Sequence, residues 1–344
     1  MKNYVAVAGA LSVLMTGGLL AQQTGGGLAT PTCPPGAFIA GTIPNATKAA
    51  QDACQQAYDV YQFMSPQLGL ALTGGNATAG QGGVLGGLGH FSVGVRGNVF
   101  NGKLPDVEKF TQSTNGAQQQ SLPVKDQIVG LPTADAAIGV FKGIPLALTN
   151  VGGVDALVSL AHVPSVDDAN IKVTPDNNWQ FGWGARLGLL SESLVVPAVS
   201  VTWIERDLPT TTMVGSASGA TLAIDNLKVK TSAWRAVVSK SLILFGVAAG
   251  VGQDKYKQSA DISATVTNAA VGCASGCTSS IPGTSQDLTR TNAFADVSLN
   301  LPLFKIVLEG GQVSGGQVDT YNSFSGDRAD RSILYGSLGL RLSF

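Results

Sequence analysis

The side chains best suited to chemistry in this 344-residue sequence are charges that recur on the polar side of alternating segments. Arg96, Asp135, Asp155, Arg186, Arg206, Asp296, Lys305, Glu309, Arg331 and Arg341 all fall opposite apolar positions. Cations and carboxylates mixed on one wall have two uses: they neutralise one another inside a filled interior, or they line a path for a solute. Both uses stay open at the level of sequence. A turn at Leu301-Pro302 that sets Asn300 opposite Leu303 would face Ser298 to Lys305 and place Lys305 diagonal to Asp296, within reach of a cross-strand ion pair.

Other chemistry finds less support. His162 shares an apolar face with Val154, Val158 and Leu160, and His90 opens a segment on its polar face. Neither has a distinctive partner and there is no Gly-x-Ser-x-Gly elbow, so both read as packed or solvated and no catalytic residue is assigned. The pairs Gly82-Gly83 and Gly86-Gly87 and the run Gly250-Val251-Gly252 lack the spacing of a phosphate loop. Asp167, Asp168, Asn170, Asp176, Asn177 and Asn178 enrich one stretch in oxygen ligands without an EF-hand pattern, which reads as a solvated loop. Neither a metal nor a cofactor is expected. The four cysteines allow three connectivities, of which the local one is favoured. Cys33 with Cys54 would clamp a helix to a proline-rich segment, and Cys273 with Cys277 would close an outer loop across Ala274-Ser275-Gly276.

The elements that must position these groups have a period of two. Trp179, Phe181, Trp183, Ala185, Leu187 and Leu189 alternate with Gln180, Gly182, Gly184, Arg186 and Gly188. Phe91, Val93, Val95 and Val99 do the same around Arg96, and Ala293, Ala295, Val297 and Leu299 around Asp296 and Ser298. Noisier alternation runs through Thr133 to Phe141, Val151 to Val163, Leu194 to Arg206, Ala220 to Ser239 and Leu242 to Lys257. Phase is lost from Asp225 to Trp234, the mark of a bulge or a loop end. Strands of nine to eleven residues or more suit a membrane-crossing barrel, whereas soluble strands are shorter. Short connections at Leu190 to Leu194, Ser239 to Leu242 and Asn300 to Leu303 alternate with long polar ones at Asn101 to Pro132, Pro164 to Asn178, Ser259 to Gln286 and Gly315 to Asp330. Turns at one end and loops at the other describe an outer-membrane barrel. With that orientation, Phe91, Phe245, Phe304 and Phe344 fall at one rim and Trp179 and Trp203 near the other.

Composition agrees. Only 12% of residues are charged while 44% are hydrophobic, and a formal charge of -1 leaves no footprint for nucleic acid. Beyond residue 21 no apolar run is long enough for a helical span. Lys2, the apolar run Tyr4 to Ala21 and the small residue at its end read as a secretory signal peptide.

The last strand places Leu334, Leu338, Leu340, Leu342 and the terminal Phe344 on one face. This resembles the C-terminal signature of bacterial outer-membrane β-barrel proteins, and the resemblance implies recognition of that strand by a barrel-insertion machinery. Residues 22–87 hold a proline-rich stretch, a helix-like run from Ala46 to Met64 and the glycine-rich run Gly74 to Gly89. Here there is a weaker resemblance to fatty-acid-transporter-type barrels, which place an N-terminal helical plug before the first strand. A plug, a periplasmic extension and an additional strand pair all remain open.

The expectation is therefore an all-β, transmembrane antiparallel barrel in the bacterial outer membrane. Residues 1–21 form its signal peptide, residues 22–87 a linker and short helix, and residues 88–344 about ten strands, with twelve if Gln67 to Thr73 and Val124 to Leu131 add a pair. Arg96, Asp135, Asp155, Arg186, Asp296, Lys305, Glu309 and Arg341 face its lumen. Its partners are outer-membrane lipid and a small solute, an apolar one included, that it passes or binds passively; the alternatives are a structural or adhesive surface barrel and a membrane-embedded enzyme.

Overall fold

A computed structural model describes residues 30–36, 44–146, 148–168, 170–217 and 219–344; the signal-peptide expectation for residues 1–21 lies outside them. The chain opens with one long helix, α1 (Pro44–Thr73), followed by strands β1 (Phe91–Pro105), β2 (Val124–Phe141), β3 (Ile144–Leu146), β4 (Thr149–Val151), β5 (Gly153–His162), β6 (Val166–Asp167), β7 (Ile171–Pro175) and β8 (Trp179–Leu190). After these come β9 (Ala198–Asp207), β10 (Thr211–Ala217), β11 (Ala220–Ser241), β12 (Phe245–Asn268), β13 (Cys273–Asn300), β14 (Lys305–Ser314) and β15 (Ile333–Ser343).

Antiparallel pairing runs β1-β2-β5-β8-β9-β11-β12-β13-β14-β15 and returns from β15 to β1, so the sheet closes on itself. Closure removes the unpaired edges of those strands. The seam pairs Ser92 with Ser343 and Arg96 with Gly339, and Phe91 stacks on Phe344 with ring centroids 5.1 Å apart. The connections after β2, β8, β11 and β13 gather at that end, hereafter the short-turn end; those after β1, β5, β9, β12 and β14 gather at the long-loop end.

Alternation sorts the side chains as the period of two predicts. On β8, Phe181, Trp183 and Leu187 are exposed while Arg186 is buried; on β13, Val297 is exposed while Asp296 and Ser298 are buried. The outer wall is thus apolar, and the inner wall is mixed, its charged groups set among buried apolar ones such as Leu157, Ile204, Val237 and Phe294. Two aromatic contacts sit on the outer wall: Trp183 meets Trp203 edge-on at 4.9 Å, and His162 meets Trp179 at 4.6 Å.

Several expected boundaries move. The stretch Gln67 to Thr73 is the last part of α1 rather than a strand, and Val124 to Leu131 is the far half of β2, so neither adds a pair to the ring. The region Ser259 to Gln286 is not a long loop: β12 and β13 run 24 and 28 residues and turn only at residues 269–272. Its serine, threonine and glycine content resembles a loop, but cross-strand pairing from Ser259 with Ser285 to Val266 with Cys277 holds it extended. Phase loss in β11 marks a bulge between Asp225 and Lys228, where Asn226 takes φ 52°. At that bulge β11 changes one neighbour, from β9 (up to Lys230 with Asp207) to β10 (from Leu227 with Thr211). The small sheet β10-β7-β6 hangs from β11 at the long-loop end.

α1 forms because alanines at 46, 49, 50, 53 and 57 give high helix propensity and a flat stripe for close packing. It packs on the inner faces of β11, β12 and β13 and is buried nearly all round. Gly69 permits the closest approach: a Cβ there would stand 2.3 Å from the ring of Tyr256.

Candidate functional site

The interior is occupied from end to end. From Thr73 the chain continues as residues 74–90, which run through the lumen to the short-turn end, where β1 begins. Arg96 and Asn98 both donate to the Gly74 carbonyl, at 2.7 Å for Arg96 Nη1. Gly75 follows at φ +78°, and a Cβ on it would fall 2.1 Å from Arg96, so only glycine fits this joint. Further along, Asn76 N donates to Glu309 at 2.8 Å, and Arg341 Nη1 donates to the carbonyls of Thr78 (2.6 Å) and Ala79 (2.9 Å). Arg186 Nη1 reaches the Gln81 carbonyl at 3.2 Å, Gly82 N donates to Ser239 Oγ at 2.8 Å, and Leu85 N donates to Asp155 at 3.2 Å.

The inner wall itself is paired. Arg96 meets Asp135 at 2.5 Å, Asp135 also takes Arg206 at 3.2 Å, Arg186 meets Asp155 at 2.6 Å, and Arg235 pairs with Asp254. Of the expected lumen residues, Arg96, Asp155, Arg186, Asp296, Glu309 and Arg341 are buried inward, and Asp135 joins them through its two arginines. Lys305 shares the inner side of β14 with Val307 and Glu309, but its expected cross-strand partner needs correction. The β13–β14 turn spans four residues, closed by Leu301 N donating to the Phe304 carbonyl at 2.9 Å, so Asn300 lies opposite Lys305 and Asp296 opposite Glu309. Lys305 sits at the short-turn rim beside Arg341 and makes no ion pair with Asp296. Arg331 lies ahead of β15, donating to the Asn101 carbonyl at 3.0 Å.

Sequence reasoning missed Arg235 and Asp254, which pair diagonally across β11 and β12 just past the stretch where the bulge scrambles the phase of β11. It also missed Asn76, since a glycine-rich run has no periodicity to read.

At the long-loop end, the buried polar side chains of α1 hold the loops down. Asp52 accepts from Ser113 N at 2.7 Å and Gln118 N at 3.0 Å; Asp59 accepts from Tyr321 N at 3.0 Å and Asn322 N at 2.9 Å; Phe63 stacks on Phe324 at 4.1 Å. Burial pushes both carboxyls up, Asp59 to about 6, against these donors that favour the charged form. Cys33 and Cys54 are bonded, with Cα atoms 5.9 Å apart, and Gln55 Oε1 accepts from Thr32 N and Cys33 N, so the start of the described chain is pinned at this end. Cys273 and Cys277 are bonded at the tip of the β12–β13 hairpin, opposite Asn268 and Val266, within strand pairing rather than across a free loop.

Between α1 and the long-loop ends of β1, β2, β7, β10 and β11 lies a cavity of about 270 Å³. Val60, Met64, Val107, Val173, Met213 and Ile224 supply apolar walls, and Lys125 and Gln127 the polar rim. Asp167 pairs with Lys172 at 3.2 Å, and among the described residues no three His, Cys, Asp or Glu side chains converge as a metal set.

The chain resembles bacterial outer-membrane β-barrel proteins. No protein-family model and no curated relative matches its sequence. Among solved structures it is similar to Ail, the attachment invasion locus protein of Yersinia pestis, in complex with the heparin analogue sucrose octasulfate (10% identity, 75% of this chain, 99% of that chain, TM-score 0.27). It is also similar to the Pseudomonas putida toluene transporter TodX (12% identity, 74% and 88%, TM-score 0.31) and to the transport unit of the autotransporter AIDA-I from Escherichia coli (7% identity, 85% and 99%, TM-score 0.28). Superpositions this loose carry no residue correspondence, and the roles of individual side chains rest on this chain's own geometry.

Proposed function

We propose that this protein is an outer-membrane barrel that captures a small apolar solute at its outer mouth, with the lumen segment holding passage shut. The apolar cavity under α1 carries the reading: small-molecule sites are concave and mostly apolar, with a few polar groups at the edge. The membrane setting is supported by the outer wall, where Val95, Phe181, Leu187, Val297, Leu308 and Leu338 are exposed together. A monomeric soluble protein rarely shows so large an apolar belt. By the usual polarity of such barrels, the short-turn end faces the periplasm and the long-loop end the exterior.

The test is ligand-dependent thermal stability of the detergent-folded protein against a series of small aromatic hydrocarbons. A ligand that binds only the folded state raises the unfolding midpoint with concentration. The wild type is expected to show that rise, and Met64→Trp, which fills the cavity, to lose it while keeping heat-modifiable migration on a gel. Equal rises in both proteins, or none in the wild type, sink the cavity reading.

A second reading, a structural or adhesive surface barrel, is favoured by one observation. The strands β12 and β13 are more than twice the nine to eleven residues that cross a bilayer, so they carry a tower beyond it. Uptake of the bound hydrocarbon into proteoliposomes separates the two: transport predicts uptake, a surface barrel none.

A further inference from the structure

We propose that Asp296 and Glu309 form a proton-binding site that latches the lumen segment in place at Asn76. The lumen carboxylates Asp135, Asp155 and Asp254 each meet an arginine. Asp296 and Glu309 meet none: among the described residues no lysine, arginine or histidine forms an ion pair with either. They are direct partners across β13 and β14, 2% and 4% exposed, and both carboxyls converge on one residue of the lumen segment, Asn76.

Like charges directly opposite on neighbouring strands destabilise a sheet, and two carboxylates this close and this dry share a proton instead of both ionising. The shared proton lets one carboxyl donate to the other. Their remaining acceptors then meet the lumen segment, Glu309 Oε2 taking Asn76 N at 2.8 Å and Asp296 Oδ2 facing Asn76 Nδ2 at 3.5 Å. Asp296 Oδ1 and Glu309 Oε1 are buried without a hydrogen-bond partner, which leaves both oxygens free to hold that proton between them.

The surroundings offer no substitute charge. β12 places Ala248 opposite Asp296, β15 places Ser337 opposite Glu309 with the phenol of Tyr335 alongside, donating to Asn292 Oδ1 at 3.1 Å, and the lumen segment contributes Asn76 and Gly80. The nearby guanidiniums are engaged elsewhere: Arg96 with Asp135 and the Gly74 carbonyl, Arg235 with Asp254 and the Thr73 carbonyl, Arg341 with the Thr78 and Ala79 carbonyls. When the proton leaves to solvent, two negative charges face each other with one asparagine between them. Their repulsion splits the pair and levers the segment away at the Gly75 joint. The site stands independently of the solute; only its consequence, opening of the path, rests on the gated-passage reading.

The experiment compares the full-length wild type with the double variant Asp296→Asn, Glu309→Gln. Both are folded in detergent, checked by heat-modifiable migration, and digested with a protease active from acidic to alkaline pH. Cleavage within residues 74–90 is the readout. The wild type is expected to resist at acidic pH and to be cut there as pH rises, whereas the double variant, which keeps hydrogen-bonding groups without charge, stays uncut over the same range. Should the double variant not fold, Glu309→Gln alone serves, because one carboxyl without a charged partner cannot repel. The same onset of cleavage in wild type and variant, or a wild type whose cleavage never responds to pH, overturns the proposal. PH-dependent release of the segment without any conductance in planar bilayers would leave the proton site standing and defeat the gated-passage reading.

Discussion

Arg186 shows how one side chain serves two layers of this molecule. Its Nη2 and Nε bind Asp155 on the neighbouring strand at 2.6 and 2.9 Å, and its Nη1 reaches the Gln81 carbonyl of the lumen segment. Asp155 in turn accepts Leu85 N, so both members of this ion pair tie the wall to its contents. The same economy holds at the long-loop end, where Asp59 binds the loop before β15 through two backbone amides and the Asn322 side chain. Burial raises its folded-state pKa from 3.8 to about 6, so the folded state binds the extra proton between those values. The stability this contributes is fully present below the unfolded value and is lost as pH rises through about 6. The shift amounts to about 3 kcal/mol. Asp59→Asn keeps an acceptor for only one of Tyr321 N and Asn322 N and removes the charge, so its stability should be lower at acidic pH but flat across that window. Unfolding midpoints of both proteins measured from acidic to neutral pH check this; parallel curves would show that Asp59 is not the titrating group.

At the scale of the strand, the face assignment is the strongest legible feature of the sequence. Each barrel strand with an unbroken alternation, such as Trp179 to Leu190, turns its apolar side outward as its spacing dictates. Val297, 56% exposed on that outer side, is expected to lose roughly 2–4 kcal/mol on conversion to arginine if it sits near mid-membrane. Reversible unfolding in lipid vesicles measures it, and a change within error would place Val297 outside the bilayer. Its inward neighbour Ser298 is no cheap control, because it packs against Gly80 of the lumen segment. What was illegible has local causes. A four-residue turn rather than a two-residue one moved Lys305 away from Asp296, and turn length leaves little trace in composition. The bulge at Asp225 to Lys228 hid the Arg235–Asp254 pair, and polar strand stretches such as Thr278 to Thr289, in the long-loop half of β13, look like loops to any reading that expects one greasy face.

For the whole molecule, the path of the chain matters more than the count of strands. Cys33 and α1 lie at the long-loop end, the lumen segment crosses to the other end, and Phe91 begins the wall there beside Phe344. If the long loops face outward, an epitope inserted at Thr30, which is exposed, should be stained by antibody on intact cells without permeabilisation. Staining only after permeabilisation would reverse the assigned orientation. The sequence showed a helix and a glycine-rich run ahead of the barrel. Where they sit was not legible, because it depends on contacts with strands hundreds of residues later, such as Thr73 with Asp254 and Asn76 with Glu309.

This path also constrains how the protein is made. The disulfide-tied helix and the loops clasped to it form a bead on a thread, and the bead is rooted in the wall, because those loops are the β1–β2 and β14–β15 connections. Such a bead cannot be drawn through afterwards. The thread is therefore expected to be laid in place while the wall is still open, before the β1–β15 seam, which joins strands far apart in sequence, shuts. Once it has shut, the thread can slacken within the ring, but the assembled bead keeps it from being withdrawn.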